Sequence, residues 1–234
     1  MNMRFTFNFA ARAAAILIAG GLGLSTAQAA NPFHDRVAVG LGLGTEGIGG
    51  TVTAAVIPGR LNVNLGVSRF DHNFNFTADN ANFNSKLTLG GEPITLSYYP
   101  FHGYGFNVQA GIIINQNSAN VTGQPNAGGT YTINGATYTA AQVGTLSGKT
   151  NFNTVAPYIG VGWGNPVFGS SRWTFMANAG AMYEGNPNVT LSATGAAANP
   201  QLASDVRAAQ NSVNSKLNFL NWWPVVSVEL AYRF

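Results

Sequence analysis

The chain of 234 residues contains no cysteine. Disulfides are therefore excluded as its source of stability, and so is any thiolate metal site. Charge is almost as scarce. Only 8% of the residues are Asp, Glu, Lys or Arg, against roughly 25% in ordinary soluble domains. That is too little for a surface facing water on all sides. Nothing beyond the first thirty residues approaches the run of about 20 apolar residues that a spanning helix needs. Acidic and basic residues nearly balance, with a net charge of +3 that includes Arg4 and Arg12. Without those two it is about +1, well short of a nucleic-acid-binding signature, so no nucleic-acid partner is expected.

What is present begins with a leader. Arg4 and Arg12 precede the apolar stretch Ala13 to Leu24, and Ala27-Gln28-Ala29 offers small residues for cleavage. Residues 1–29 therefore read as a secretory signal peptide, and 30–234 as one mature domain.

From Phe33 onward an alternation of period two recurs in segments of about 9 to 11 residues, the length of a membrane-crossing strand. Eight such segments are expected. "RVAVGLGLG" sets Val37, Val39, Leu41 and Leu43 against Ala38 and three glycines. "GGTVTAAVI" alternates through Val52, Ala54 and Val56, and ends at the turn Pro58-Gly59-Arg60. In "LNVNLGVSRF", Leu61, Val63, Leu65 and Val67 oppose Asn62, Asn64, Gly66 and Ser68, a pattern that a helix would scatter around its axis. The fourth segment, from about Lys86 to Tyr99, changes parity near Gly90-Gly91, which predicts a bulge. "FNVQAGIIIN", "VAPYIGVGW", "RWTFMANAGAMYE" and "VSVELAYRF" supply the rest. Short turns alternate with long links rich in Asn, Gly and Thr, as in an up-and-down barrel. The last long link carries Leu202, Val206, Ala209, Val213, Leu217 and Leu220 at spacings of three and four, with Asn199 as cap and Pro200 at the first position. It reads as an amphipathic helix, either packed on a rim or serving as a lid.

Three features favour lipid over a soluble core. The interleaved face is Gly, Ala, Ser, Thr and Asn, which suits a narrow lumen. Aromatics gather at strand ends in two sets: Phe101, Tyr104, Trp163, Phe168, Trp173, Tyr232 and Phe234 by the short turns; Phe70, Phe74, Phe76, Phe152, Tyr183, Trp222 and Trp223 by the long links. These are expected to form interfacial girdles. The eleven steps from Trp223 to Phe234 span about 36 Å, or about 26 Å of height at a tilt near 45°, matching an outer-membrane apolar band. The expected fold is thus all-β: a transmembrane, antiparallel, eight-stranded β-barrel with one amphipathic helix in its last long loop.

The final "VSVELAYRF", with Val228, Leu230, Tyr232 and Phe234, resembles the C-terminal signal of bacterial outer-membrane barrels. With the leader, the chain resembles the small eight-stranded barrels of the OmpA, OmpX and OmpW type. "APYIGVGWG" and "PVVSVELAYRF" are similar to segments of a poorly characterised group of proteobacterial outer-membrane barrels. The resemblance implies the Gram-negative outer membrane, reached through the periplasm. It also implies contact with lipid and lipopolysaccharide, recognition of those four residues by the barrel assembly machinery, and a monomer.

Catalytic patterns are thin. Asp71-His72 is reminiscent of the barrel proteases, but neighbours on a strand face opposite ways. The His, x, Ser order of barrel deacylases is missing at His34, His72 and His102. No metal-ligand spacing occurs, and no cofactor or enzyme activity is expected. Glu92, Glu184, Glu229 and Arg233 are read as lumen charges, with Arg60 or Arg172 as partners, because unpaired charge in a narrow lumen is costly. The expected function is structural or surface-interacting. Alternatives are a narrow channel for small or hydrophobic solutes gated by the 199–217 helix, or an envelope hydrolase.

Overall fold

The computed structural model describes residues 35–78, 81–125 and 129–234. The segment read as a signal peptide lies outside the described residues. Thirteen strands are present among them: β1 (Val37–Gly44), β2 (Gly47–Ile57), β3 (Leu61–Ala78), β4 (Ala81–Tyr98), β5 (Phe106–Asn115), β6 (Ser118–Pro125), β7 (Thr130–Ile133), β8 (Ala136–Thr139), β9 (Leu146–Asn151), β10 (Val155–Trp163), β11 (Trp173–Tyr183), β12 (Asn188–Ala193) and β13 (Trp222–Arg233). Two α-helices, α1 (Ala140–Val143) and α2 (Pro200–Leu217), and a 3-10 turn over Thr194–Ala197 complete the chain.

One sheet holds eleven of these strands, and eight close into a ring in the order β1-β2-β3-β4-β5-β10-β11-β13. The seam joins β13 antiparallel to β1, from Ala38 opposite Arg233 to Gly44 opposite Ser227. Alternation explains the ring directly. Leu41 and Ile48 point outward and are 72% and 78% exposed. Glycines and amides point inward, where Asn64 Nδ2 donates to Ser97 Oγ at 2.8 Å and Gln109 Nε2 to Asn178 Oδ1 at 2.7 Å.

β3 and β4 are each 18 residues long and rise beyond the ring. There β6, β9 and β12 add to β4, giving a sheet in the order β3-β4-β6-β9-β12. These strands, and the separate β7-β8 hairpin, are the difference from the eight segments read in the sequence. They lie in Asn-, Gly- and Thr-rich links whose pattern carries little apolar contrast. The bulge expected near Gly90-Gly91 is also absent as a register shift. β3 and β4 keep one register from Leu61↔Tyr98 to Ala78↔Ala81, and the irregularity sits instead at Ala55/Ile57 between β2 and β3. What changes near Gly90 is the environment rather than the backbone count. Below it, apolar residues face outward; above it, Leu87 and Leu89 share the face that continues the lumen wall.

The reason is α2. Its Leu202 and Val206 bury against Tyr131, Ile133, Tyr138, Val143 and Ala193, with Phe83, Leu146 and Leu191 packed alongside. The apolar partner of the sheet above the ring is this helix and the β7-β8 hairpin. The helix begins as the sequence indicates, with Asn199 Oδ1 accepting from Leu202 N at 3.1 Å and Pro200 in the first turn.

Candidate functional site

The lumen is not an empty tube. On the side of β5, β10, β11 and β13, Ile113, Ala156, Tyr158 and Met182 bury together, and Trp223 and Val225 pack against them. Trp223 therefore points inward instead of joining an outer girdle. The opposite side is built from residues without bulk. Gly42 of β1 lies so close to β13 that a Cβ there would meet Val228 O at 2.4 Å and Glu229 Cγ at 2.4 Å. Between the two sides lies a cavity of about 110 Å³, lined by Glu46, Asn64, Thr95, Gln109, Asn178 and Glu229 among others.

The four residues read as lumen charges occupy different places. Glu229 lines the cavity, where its Oε1 accepts from Asn178 Nδ2 at 3.4 Å while Oε2 is buried without a partner. Arg233 is buried at the other end of β13, with its Nε 3.3 Å from Asp35. Glu184 follows β11 at the outer rim and is almost wholly buried, accepting from Asn117 Nδ2 at 2.6 Å. Glu92 shares the face of Ile94 and Leu96, away from the lumen, and accepts from Gln116 Nε2 at 3.2 Å. Among the described residues, none of the three glutamates forms an ion pair. Arg60 donates to Pro100 O and Arg172 to Tyr232 Oη instead. The salt-bridged lumen core expected from the sequence is thus replaced by amide and hydroxyl contacts.

Glu46, which the sequence reading passed over, stands in the two-residue turn between β1 and β2 and is 7% exposed. Burial, and next the charge of Glu184, push its carboxyl up to about 7. Burial also raises Glu184, against the hydrogen bonds from Asn117 and Asn115. A signal did exist: Glu46 is the one acid between Arg36 and Arg60, in a turn too short to carry it far from the lumen.

Asp71 and His72 lie beyond the ring and diverge. Arg69 Nε donates to Asp71 at 2.6 Å and Thr88 Oγ1 at 2.7 Å, which hold that carboxyl down to about 2. His72 points to the opposite face, stacked between Phe70 and Phe74 at 5.9 and 6.2 Å. The row continues through Phe76 to Phe83. Phe70, Phe74 and Phe76 thus line the face that continues the lumen wall, and are not an outward girdle. The outward aromatics at that height are Tyr183 and Trp222, edge to face at 5.2 Å. At the other end Trp173 and Tyr232 pair at 4.9 Å.

The outer unit is pinned by one buried carboxylate. Asp205 of α2 accepts from Tyr138 Oη, from Asn134 Nδ2 at 3.1 Å and from Gln201 Nε2 at 3.3 Å. These bonds, that of Tyr138 first, lower its pKa. Among the described residues no three His, Asp or Glu side chains converge as a metal site.

No protein-family model matches this chain, and no curated protein matches its sequence. Solved structures do. The crystal structure of Acinetobacter baumannii CarO2 superimposes with a TM-score of 0.54 at 21% identity, covering 85% of this chain and 98% of that one. That of Acinetobacter baumannii CarO gives 0.51 at 20% identity with the same coverage. At this identity the likeness is one of fold.

Proposed function

We propose that the chain is an integral β-barrel protein of the Gram-negative outer membrane, non-enzymatic, acting through the folded unit that its long links build above the barrel. The location rests on the outward belt: Leu41, Ile48, Ile159, Phe175 and Leu230 are each more than half exposed on a closed ring. A surface of that kind calls for lipid. The likeness to CarO2 and CarO supports the same architecture. Exported through the periplasm after loss of residues 1–29, it would meet the assembly machinery through Val228, Leu230, Tyr232 and Phe234. It would then stand as a monomer among lipid and lipopolysaccharide.

The role rests on the outer unit. Long loops are costly to order without a purpose, and here they have their own sheet, helix and apolar core. The lumen below is filled by Ile113, Tyr158 and Met182, which favours a surface role over free diffusion. One observation favours a second reading, a narrow gated channel: the ring encloses a cavity of about 110 Å³, lined in part by Glu46, Asn64, Gln109 and Glu229. Conductance in planar bilayers separates the two. The surface reading expects no openings from wild type and none after deletion of residues 199–217. Steady openings that appear on that deletion would overturn it in favour of the gated channel. The opposed faces of Asp71 and His72 support reading no hydrolase into the site.

A further inference from the structure

Among the described residues, two acids at the outer rim lack a counter-charge. Glu46 projects from the β1-β2 turn toward the β4 wall, where a Cβ on Gly91 would lie 3.3 Å from its Oε1. Glu184 projects from the end of β11 and reaches Asn117, just beyond β5. β4 and β5 are neighbours, with Gly91 opposite Asn115, so the two side chains converge on one stretch of wall. Each retains a buried oxygen with no hydrogen-bond partner, Oε1 of Glu46 and Oε2 of Glu184. Nearby basic groups are committed elsewhere: Arg69 to Asp71 and Gln116, and Lys86 to Asp71. The other ionisable groups lining the cavity are Tyr99, Tyr158 and Glu229, which add no positive charge.

A buried, ionised carboxylate without a partner is among the costliest arrangements in a folded protein. A pair of them calls for a cation. We propose that Glu46 and Glu184 bind a divalent cation of the calcium and magnesium class at the outer mouth, each giving one carboxylate oxygen. The donor set fixes the class. Both donors are hard oxygens and no cysteine exists in the chain, so a soft transition metal is not matched. With only two carboxylates there is no closed protein cage, and the ion keeps several of its waters, as hydrated divalent cations do. The cavity that Glu46 lines offers room for them on its side of the ion. An ion so held ties the β1-β2 turn to the β11-β12 link and draws the mouth shut.

The test uses the full mature chain refolded in micelles free of lipopolysaccharide, so that lipid phosphate cannot carry the ion, and stripped with chelator. Calcium chloride titrated calorimetrically at about pH 7.5 is expected to show saturable binding at one site. That binding weakens by about tenfold or more in Glu46→Gln and in Glu184→Gln. Heat-modifiability on gels is expected to shift to higher temperature with calcium in wild type only. Absence of saturable binding to folded wild type would overturn the proposal. So would equal binding by both variants. Binding absent while Glu46→Gln alone raises the melting temperature would assign the pair a shared proton in place of the ion.

Discussion

Asn214 holds the backbone of Val189 from both sides. Its Oδ1 accepts from Val189 N at 2.8 Å, and its Nδ2 donates to Val189 O at 3.1 Å. Two residues along, Gln210 Oε1 accepts from Leu191 N at 3.0 Å. β12 is the last strand of the outer sheet, and α2 uses amide side chains to satisfy the groups that a further strand would have satisfied. Asn214→Ala is expected to weaken the docking of α2 by roughly 1–3 kcal/mol, since it leaves a backbone pair unmet. Hydrogen exchange at the Val189 amide reads this out; unchanged protection would count against it.

Asp205 makes the same docking sensitive to acid. Its pKa is lowered in the folded chain, so its contribution is present above the unfolded value of about 3.9 and is lost as pH falls through the folded value. Limited proteolysis is expected to cut α2 more readily below about pH 4, while the ring stays resistant. Asp205→Asn should be cut readily at neutral pH and show little further change with acid.

Glu46 acts in the opposite sense. Its folded pKa is raised from 4.5 to about 7, so in chelated buffer stability is greatest below about 4.5 and declines as pH rises toward 7 and beyond. Thermal melts of wild type and Glu46→Gln are expected to coincide near pH 4.5 and to separate near pH 8, with the variant higher. Parallel melting curves at both pH values would contradict this.

At the seam, Gly42 has no room for a side chain, because Val228 O and Glu229 Cγ already occupy the position of a Cβ. Gly42→Ala is expected to cost roughly 1–3 kcal/mol by forcing β1 from β13. The loss would be read as a lower temperature for conversion to the unfolded gel band. Gly50 of β2, where a Cβ would meet only Leu41 Cδ2 at 3.4 Å and Gly40 O at 3.5 Å, is a control glycine outside the seam.

Phe234 N donates to Val37 O at 3.2 Å, and Asp35 N donates to Phe234 O at 2.8 Å, so the last residue fastens the start of β1. Deleting Phe234 is expected to lower the fraction of membrane-inserted, heat-modifiable protein more than the stability of what does insert. Normal insertion yield would sink this expectation.

How much of this was legible in the sequence depends on which apolar partner each stretch meets. Leu61, Val63, Leu65 and Val67 alternate cleanly against small polar residues because they face out of the ring while their neighbours face a narrow lumen. Those strands and their faces could be read directly. The helix was legible for the same reason, with Asn199, Pro200 and the three-four spacing of Leu202 and Val206 agreeing. Above the rim the apolar partner moves to the inner face. Phe70, Phe74 and Phe76 then look like an outward girdle, and Leu87 and Leu89 look like a slipped register. β6, β9 and β12 pair mainly through backbone and short polar side chains, so the period that announces a strand is faint. Glu46 and Glu184 are 138 positions apart in the chain, and only closure of the ring brings them to one mouth.

The outer sheet has a second edge. Among the described residues, β3 along Phe70 to Ala78 pairs with β4 on one side and with no strand on the other. In the orientation proposed, this stretch runs away from the membrane. An antiparallel neighbour would have to run toward it. Two copies standing side by side in one bilayer point the same way and cannot satisfy each other in that manner. A chain descending from outside meets that condition, so this edge suits what arrives from above better than antiparallel pairing with a neighbouring copy.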